Sequence, residues 1–224
     1  GLNPFAESPM GAQGLMQVLV EELGLHPLAV EDAVHRQQRP KLDRYDDHLF
    51  LSSYVVRLTE ETAQLALDEI AAFVTPRALV TVRSSDALPV EALLERWDGA
   101  HDESASGVPY LLHGLLDLVV DGHFAAVQQL DEELDDIEDT LFDERPRSRE
   151  LQRRTFEVRK SLVTLRRVVL PMREVVNGLL RRDLHVVDDA MQPYYLDVYD
   201  HVLRVTEWTE SLRDNLAAAA GLEQ

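Results

Sequence analysis

The spacing of apolar residues divides the chain near Gly107. In residues 1–106, short helical patterns alternate with strand patterns, which predicts an α/β/α module. In residues 107–224, apolar residues recur three and four positions apart over long stretches, which predicts helices alone. The expected fold class is therefore α+β, with an α/β/α N-terminal module followed by long antiparallel helices.

The N-terminal part carries signals for both helices and strands. A helical pattern covers residues 13–23, and Pro27 suits the first turn of a second short helix. A third helix is expected from Pro89 through Trp97. Aromatic and β-branched residues predict strands, and the sheet is expected to be antiparallel or mixed, with its N-terminal strands missing. The predicted strands are residues 49–58, 65–75 and 78–83, with a turn at Pro76-Arg77 between the last two.

Three long helices are predicted in the second part. The first covers residues 108–142 and the second residues 149–182, with Ser148 as its N-cap and Pro171 expected to kink it. The third begins at Pro193. These lengths greatly exceed the mean of roughly 11–12 residues, so the helices must pack along each other or against other subunits.

Charge is segregated between the first two long helices. No Lys or Arg lies between Arg96 and Arg145, whereas residues 145–182 hold 12 of the 22 basic residues. A hairpin over residues 107–183 would place acidic beside basic residues, because a short loop makes neighbouring helices antiparallel. The alternative is a solvated charged surface, and the paired hairpin is preferred.

Composition narrows the function classes. The formal net charge of -19 disfavours nucleic acid as a partner and favours cations. There are no cysteines, which excludes thiol chemistry and disulfides. The chain has no glycine-rich phosphate loop, no Gly-x-Ser-x-Gly motif and no His-Glu-x-x-His motif, so an enzyme is the least favoured class.

The sequence gives no sign of a membrane segment. No apolar run approaches the roughly 20 residues that span a bilayer, and a signal peptide is absent from the N-terminus. The abrupt start at Gly1, without an initiator methionine, and the abrupt end suggest an excised fragment.

Carboxylates are the best candidates for a chemical role. Glu31 and Asp32 are adjacent in the short helix after Pro27, and Asp197 lies among tyrosines in the last helix. Hard cations such as Mg²⁺ take oxygen ligands, and one or two carboxylates are enough because Mg²⁺ keeps much of its water. Each carboxylate taken alone is more simply explained as part of a solvated helix surface.

A second acidic pair lies in the first long helix. Asp117 and Asp121 are four residues apart and therefore share one helix face. The surrounding run is apolar, where burying an unpaired carboxylate is costly. We therefore expect these two side chains either to face solvent or to meet a cation.

Several segments, in this order, resemble the CorA family of divalent-cation channels over nearly the whole chain. None is specific alone, but the combination is. The segments are His26-Pro-Leu-x-x-Glu-Asp32, Gln38-Arg-Pro-Lys41, Tyr45-Asp46-Asp47 with Leu49-Phe50, Leu170-Pro-x-Arg-Glu174 and Pro193-Tyr-x-x-Asp-Val-Tyr-Asp-His201.

The resemblance implies an architecture and a location. It implies a cytoplasmic α/β/α domain, two acidic-to-basic helices and a long stalk helix, here residues 193–224, that continues into the membrane. The full-length protein is then a homopentamer in the cell membrane that carries Mg²⁺, with Co²⁺ and Ni²⁺ also transported by members. The Gly-Met-Asn pore signature and both membrane helices would lie beyond Gln224.

The resemblance also implies regulatory Mg²⁺ sites between subunits. By position, Asp32 of one subunit faces Asp197 of its neighbour, and Glu31 and Asp117 form a second pair, with Asp121 as an outlying member. Asp32 is then expected to do little within its own subunit. Two alternatives stay open: a zinc-transporting relative of the same fold, and a soluble helical interaction module with no ion role.

Overall fold

The computed structural model describes residues 12–35, 39–59, 62–83, 85–99, 106–142, 149–181, 184 and 186–221. The helices are α1 (Ala12–Gln17), α2 (Pro27–Val34), α3 (Val90–Gly99), α4 (Val108–Phe142), α5 (Arg149–Leu179) and α6 (Gln192–Gly221), and a π-helical turn, Val18–Glu22, follows α1. The strands are β1 (Lys41–Arg44), β2 (Leu49–Thr59), β3 (Gln64–Val74) and β4 (Leu79–Arg83).

The four strands form one antiparallel sheet in the order β1-β2-β3-β4. Strands β2 and β3 make a long hairpin in which Leu49 pairs with Val74 and Thr59 pairs with Gln64. The predicted turn at Pro76-Arg77 joins β3 to β4, and the Thr75 hydroxyl stabilises it by accepting a hydrogen bond from the Ala78 N–H at 2.9 Å. The antiparallel alternative is therefore confirmed over the mixed one.

Helices cover both faces of the sheet, as the α/β/α prediction required. Alternate residues of a strand point to opposite faces. Phe50 and Phe73 therefore pack with the π-helical turn and α2, while Leu51 and Ala72 pack against α4 and α5 on the other face. The predicted α+β class with long helices is confirmed.

Helices α4, α5 and α6 pack along one another through buried aliphatic residues such as Leu130, Leu165 and Val205. The predicted acid-to-base hairpin is also present, because Arg154 of α5 pairs with Glu133 at 2.7 Å and with Asp136 at 3.3 Å. Helix α5 continues through Pro171 to Leu179. The predicted cap, Ser148, lies outside the described residues.

One described helix has the length and composition of a membrane span, although the sequence showed no apolar run of that length. This stretch, Val108–Thr140 of α4, has a mean hydropathy of 1.2 in its most apolar window. Of that window, 56% is buried within the fold. The apolar character of α4 is thus accounted for by its place in the core.

Candidate functional site

Helix α2 presents Glu31 and Asp32 at the edge of the module. His26 caps the helix, since its Nδ1 accepts a hydrogen bond from the Leu28 N–H at 3.2 Å, and a proline occupies the first turn. Ala29 and Val30 are fully buried against the sheet, which anchors the helix. The next two residues consequently lie at its outer side, with Glu31 exposed and Asp32 half-buried.

Asp32 is held by a lysine of its own chain. The Lys41 Nζ lies 2.6 Å from the Asp32 Oδ2 and 2.7 Å from the Asp43 Oδ2. Burial lowers the pKa of Lys41, but hydrogen bonds and charges from the two aspartates outweigh burial, and the pKa is raised. The expectation that Asp32 does little within its own subunit is therefore wrong, because α2 and β1 are joined by this ion pair.

A close approach of α3 to α4 positions the second group of carboxylates. A Cβ on Gly114 would lie 2.6 Å from the Trp97 Nε1, so only glycine lets the indole pack here. The Trp97 Nε1–H donates to the Leu111 carbonyl at 3.2 Å, and the Tyr110 hydroxyl donates to the Arg96 carbonyl at 2.7 Å. These contacts set Arg96 beside the acidic face of α4.

Arg96 bridges both aspartates of that face. Its Nη1 donates to Asp117, and its Nη2 lies 2.6 Å from the Asp121 Oδ2. Burial and the neighbouring charge of Asp121 raise the pKa of Asp117, and Arg96 opposes them. The sequence offered solvent or a cation as partners for these carboxylates, and within the described residues the guanidinium of Arg96 is that cation.

Asp197 lies on the outer side of α6. Its neighbours Tyr195 and Val198 are fully buried, and the Tyr195 hydroxyl donates to the Pro109 carbonyl at 2.8 Å, which fixes α6 against α4. The Asp197 side chain is 67% exposed, with the His201 Nδ1 3.7 Å from its Oδ2. His201 also lies near enough to Asp117 for its charge to lower the pKa of that carboxyl.

The structure thus brings the predicted residues together only in part. Asp117 and Asp121 share Arg96, and Asp117 and Asp197 lie near the same imidazole. Within the described residues, no cluster of three or more histidines and carboxylates is close enough to hold a metal ion. Carboxylate oxygens suit Mg²⁺, and one or two of them can hold the ion when water supplies its other ligands.

Lys41 and Arg96 were not predicted from the sequence as partners of these carboxylates. Lys41 belongs to a segment that resembles the CorA family, but it lies nine residues after Asp32, and no helical spacing links the two. The distribution of charge along the sequence does point to Arg96, because it is the last basic residue before an acidic stretch that contains no Lys or Arg. A partly buried aspartate such as Asp117 in such a stretch needs a partner from another element.

The sequence model of the family described as "CorA-like Mg2+ transporter protein" matches residues 11–222. The chain belongs to this family. The cobalt/magnesium transport protein CorA of Thermotoga maritima is 28% identical over 203 residues, which are 89% of this chain and 57% of that protein. The putative metal ion transporter YfjQ of Bacillus subtilis is 33% identical over 193 residues, 84% of this chain and 57% of that protein.

The fold agrees with this membership. The soluble domain of CorA from Methanocaldococcus jannaschii superposes with a TM-score of 0.79 at 18% identity, covering 93% of this chain and 82% of that one. The family resemblance stated from the sequence is therefore confirmed, and the family is one of transporters rather than enzymes. The chain spans little more than half the length of the two curated relatives.

Proposed function

We propose that this chain is the cytoplasmic, cation-sensing part of a CorA-type Mg²⁺ channel in the cell membrane, and that Mg²⁺ bound between subunits of a homopentamer stabilises the closed state. The transported ion is then Mg²⁺, with Co²⁺ and Ni²⁺ as further cargo. Membership of a Mg²⁺ transporter family supports this role.

The observation that carries the proposal is the position of Asp197. Its carboxylate is 67% exposed in the second turn of a helix whose other side is packed against α4 and α5. An exposed carboxylate on a rigid helix is well placed to meet a neighbouring subunit. In the proposed assembly, Asp32 of that neighbour meets Asp197, and Glu31 meets Asp117.

The electrostatics follow from the net charge of -19. Carboxylates brought together across an interface repel each other, and a divalent ion between them removes that repulsion. Mg²⁺ therefore binds the closed assembly better than the open one and shifts the population towards it. When Mg²⁺ is scarce, repulsion returns and the interface loosens.

The internal ion pairs raise the Mg²⁺ concentration at which the sensor responds. Lys41 already neutralises Asp32, and Arg96 already neutralises Asp117. An arriving Mg²⁺ must compete with these side chains for the same oxygens, so each pair lowers the apparent affinity for the ion. Weak binding suits a sensor of an ion that is abundant inside cells.

A thermal-shift titration with Mg²⁺ tests the proposal. At about tenfold excess over its Kd, an ion that binds only the folded state adds about 1.4 kcal/mol to the free energy of unfolding. We expect Mg²⁺ to raise the Tm and the sedimentation coefficient of the wild-type chain, and EDTA to reverse both. In Asp32→Ala/Asp197→Ala, both responses should shrink to the part that the Glu31–Asp117 pair contributes.

A matched control is Asp135→Ala/Asp139→Ala, which removes the same charge from exposed positions of α4. This variant should respond to Mg²⁺ as the wild type does. An unchanged Mg²⁺ response in Asp32→Ala/Asp197→Ala would contradict the assignment of these two residues.

A further inference from the structure

A large cleft lies between β1 and the C-terminal half of α5, away from the carboxylates of α4. Its volume is about 1130 Å³, slightly above the roughly 300–1,000 Å³ of typical small-molecule sites. The two elements meet closely beside it, since a Cβ on Gly178 would lie 2.9 Å from the Leu42 Cδ2. The cleft is thus a concavity between two packed elements.

The lining of the cleft is strongly basic. Five basic side chains and one acidic side chain, Glu174, border it, in a chain where acidic residues outnumber basic residues 41 to 22. The basic residues are Arg39, Lys41, Arg44, Arg173 and Arg181. Lys41, Arg44 and Arg181 have partners within the chain, so the charge that a ligand could compensate is that of the other two arginines.

Two of these arginines are available to a ligand. Lys41 is already compensated by Asp32 and Asp43. Arg39 and Arg173, by contrast, are exposed and form no ion pair in the described part of the chain. Two guanidinium groups that border one cleft, one just before β1 and one from α5, can hold a ligand with several anionic groups.

We propose that this cleft binds a polyphosphate anion, either a nucleoside triphosphate or an inorganic phosphate chain. Guanidinium groups bind phosphate oxygens in pairs of parallel hydrogen bonds, and a chain of phosphates can span two arginines that a single phosphate cannot. Apolar side chains, including Leu170 and Pro171, form another part of the wall, and Tyr199 offers an aromatic ring. These would accept the organic part of a nucleotide.

Calorimetric titration of the 224-residue chain in EDTA tests the proposal, because EDTA keeps Mg²⁺ off both the protein and the phosphates. The probes are ATP, inorganic tripolyphosphate and adenosine. We expect ATP and tripolyphosphate to bind and adenosine to bind far more weakly. ATP binding more tightly than tripolyphosphate would identify the ligand as a nucleotide, and equal affinities would identify the phosphate chain alone.

The variant Arg39→Gln/Arg173→Gln should weaken polyphosphate binding at least about tenfold, since it removes the charge-assisted hydrogen bonds that both arginines donate to phosphate. The control Arg159→Gln/Arg167→Gln removes the same charge from exposed positions of α5 outside the cleft and should change the affinity less than about twofold.

Two results would overturn the proposal. The first is absence of polyphosphate binding to the wild type; a change in oligomer size in Arg39→Gln/Arg173→Gln would then assign the cleft to a neighbouring chain. The second is an equal loss of affinity in both arginine variants, which would indicate general charge attraction. The proposal does not depend on the Mg²⁺ sites, because every arm is measured without Mg²⁺.

Discussion

The carboxylates proposed to bind Mg²⁺ fall into two structural groups. The paired carboxylates, Asp32, Asp117 and Asp121, are held by Lys41 or Arg96 of the same chain. The exposed carboxylates, Glu31 and Asp197, project from the outer sides of α2 and α6. Each proposed site combines one paired and one exposed carboxylate. The paired member is positioned by the fold, and the exposed member is free to approach it from a neighbour.

The largest predicted effect is a loss of stability at acidic pH through His123. It sets the pH range in which the paired and the exposed carboxylates can be compared. His123 is fully buried and donates to the Tyr54 carbonyl at 2.8 Å, and burial lowers its pKa to about 4. The unfolded chain takes up this proton near pH 6.5, so stability is constant above that pH and falls as the pH drops towards 4. The total loss is about 3 kcal/mol.

Urea unfolding from pH 8 to pH 4 measures this loss. His123→Gln keeps an N–H donor for the Tyr54 carbonyl and does not titrate, so its stability should vary less with pH. An equal decline in both proteins would show that surface carboxylates dominate the acid response. Comparisons between the two groups of carboxylates therefore belong above pH 6.5.

Arg96→Met should produce the largest effect among the ion pairs. It leaves Asp117 and Asp121 as neighbouring charges with no cation between them. We expect a loss of about 1–2 kcal/mol in urea unfolding with EDTA, less than for a fully buried pair because about a third of each of Arg96 and Asp117 is exposed. Mg²⁺ should recover part of this loss.

Arg153→Met is the matched control for that prediction. It breaks an exposed ion pair with Glu150 on a single helix and should lower the free energy of unfolding far less than Arg96→Met does. Similar losses in both variants would show that the pairing of Arg96 with its aspartates stabilises the fold no more than an exposed ion pair does.

Lys41→Met should affect Mg²⁺ more than stability. Removing the lysine frees Asp32 for a divalent ion, so the midpoint of the Mg²⁺ titration should fall several-fold, at a cost below about 1 kcal/mol in EDTA. Lys160→Met, which removes an exposed lysine from α5, should leave the midpoint unchanged. A weaker Mg²⁺ response in Lys41→Met would mean that the lysine positions Asp32 for the ion rather than competing with it.

The smallest predicted effect concerns Asp117. A carboxyl with a raised pKa destabilises the folded state once it ionises, so wild-type stability should fall relative to Asp117→Asn as the pH rises from about 4 through the folded-state pKa. At pH 7 the asparagine variant should be the more stable by a few tenths of a kcal/mol. A less stable asparagine variant would show that the Arg96 pair outweighs burial.

Sequence patterns predicted the elements that local chemistry determines. The bounds of α4, Val108–Phe142, follow from its apolar spacing and the Gly107 before it, and the β3–β4 turn follows from Pro76-Arg77. The carboxylate positions likewise followed from recognisable segments. These features depend on residues that are close in sequence.

The partners of the carboxylates could not be predicted in the same way. Arg96 reaches Asp117 only because Gly114 lets Trp97 pack against α4, and Lys41 reaches Asp32 only because α2 lies beside β1. Both contacts depend on tertiary packing rather than on spacing along the chain. The π-helical turn Val18–Glu22 was missed as well, because its apolar pattern is that of an ordinary helix.

Mixing two single variants tests the central claim most directly, namely that Asp32 and Asp197 of different subunits share one Mg²⁺. Asp32→Asn and Asp197→Asn chains are unfolded together at equal concentration, refolded, and titrated with Mg²⁺ by calorimetry. In a ring, random assembly restores about a quarter of the intact pairs, so the mixture should bind more Mg²⁺ than either variant alone. A mixture that binds only the average of the two variants would contradict the shared site.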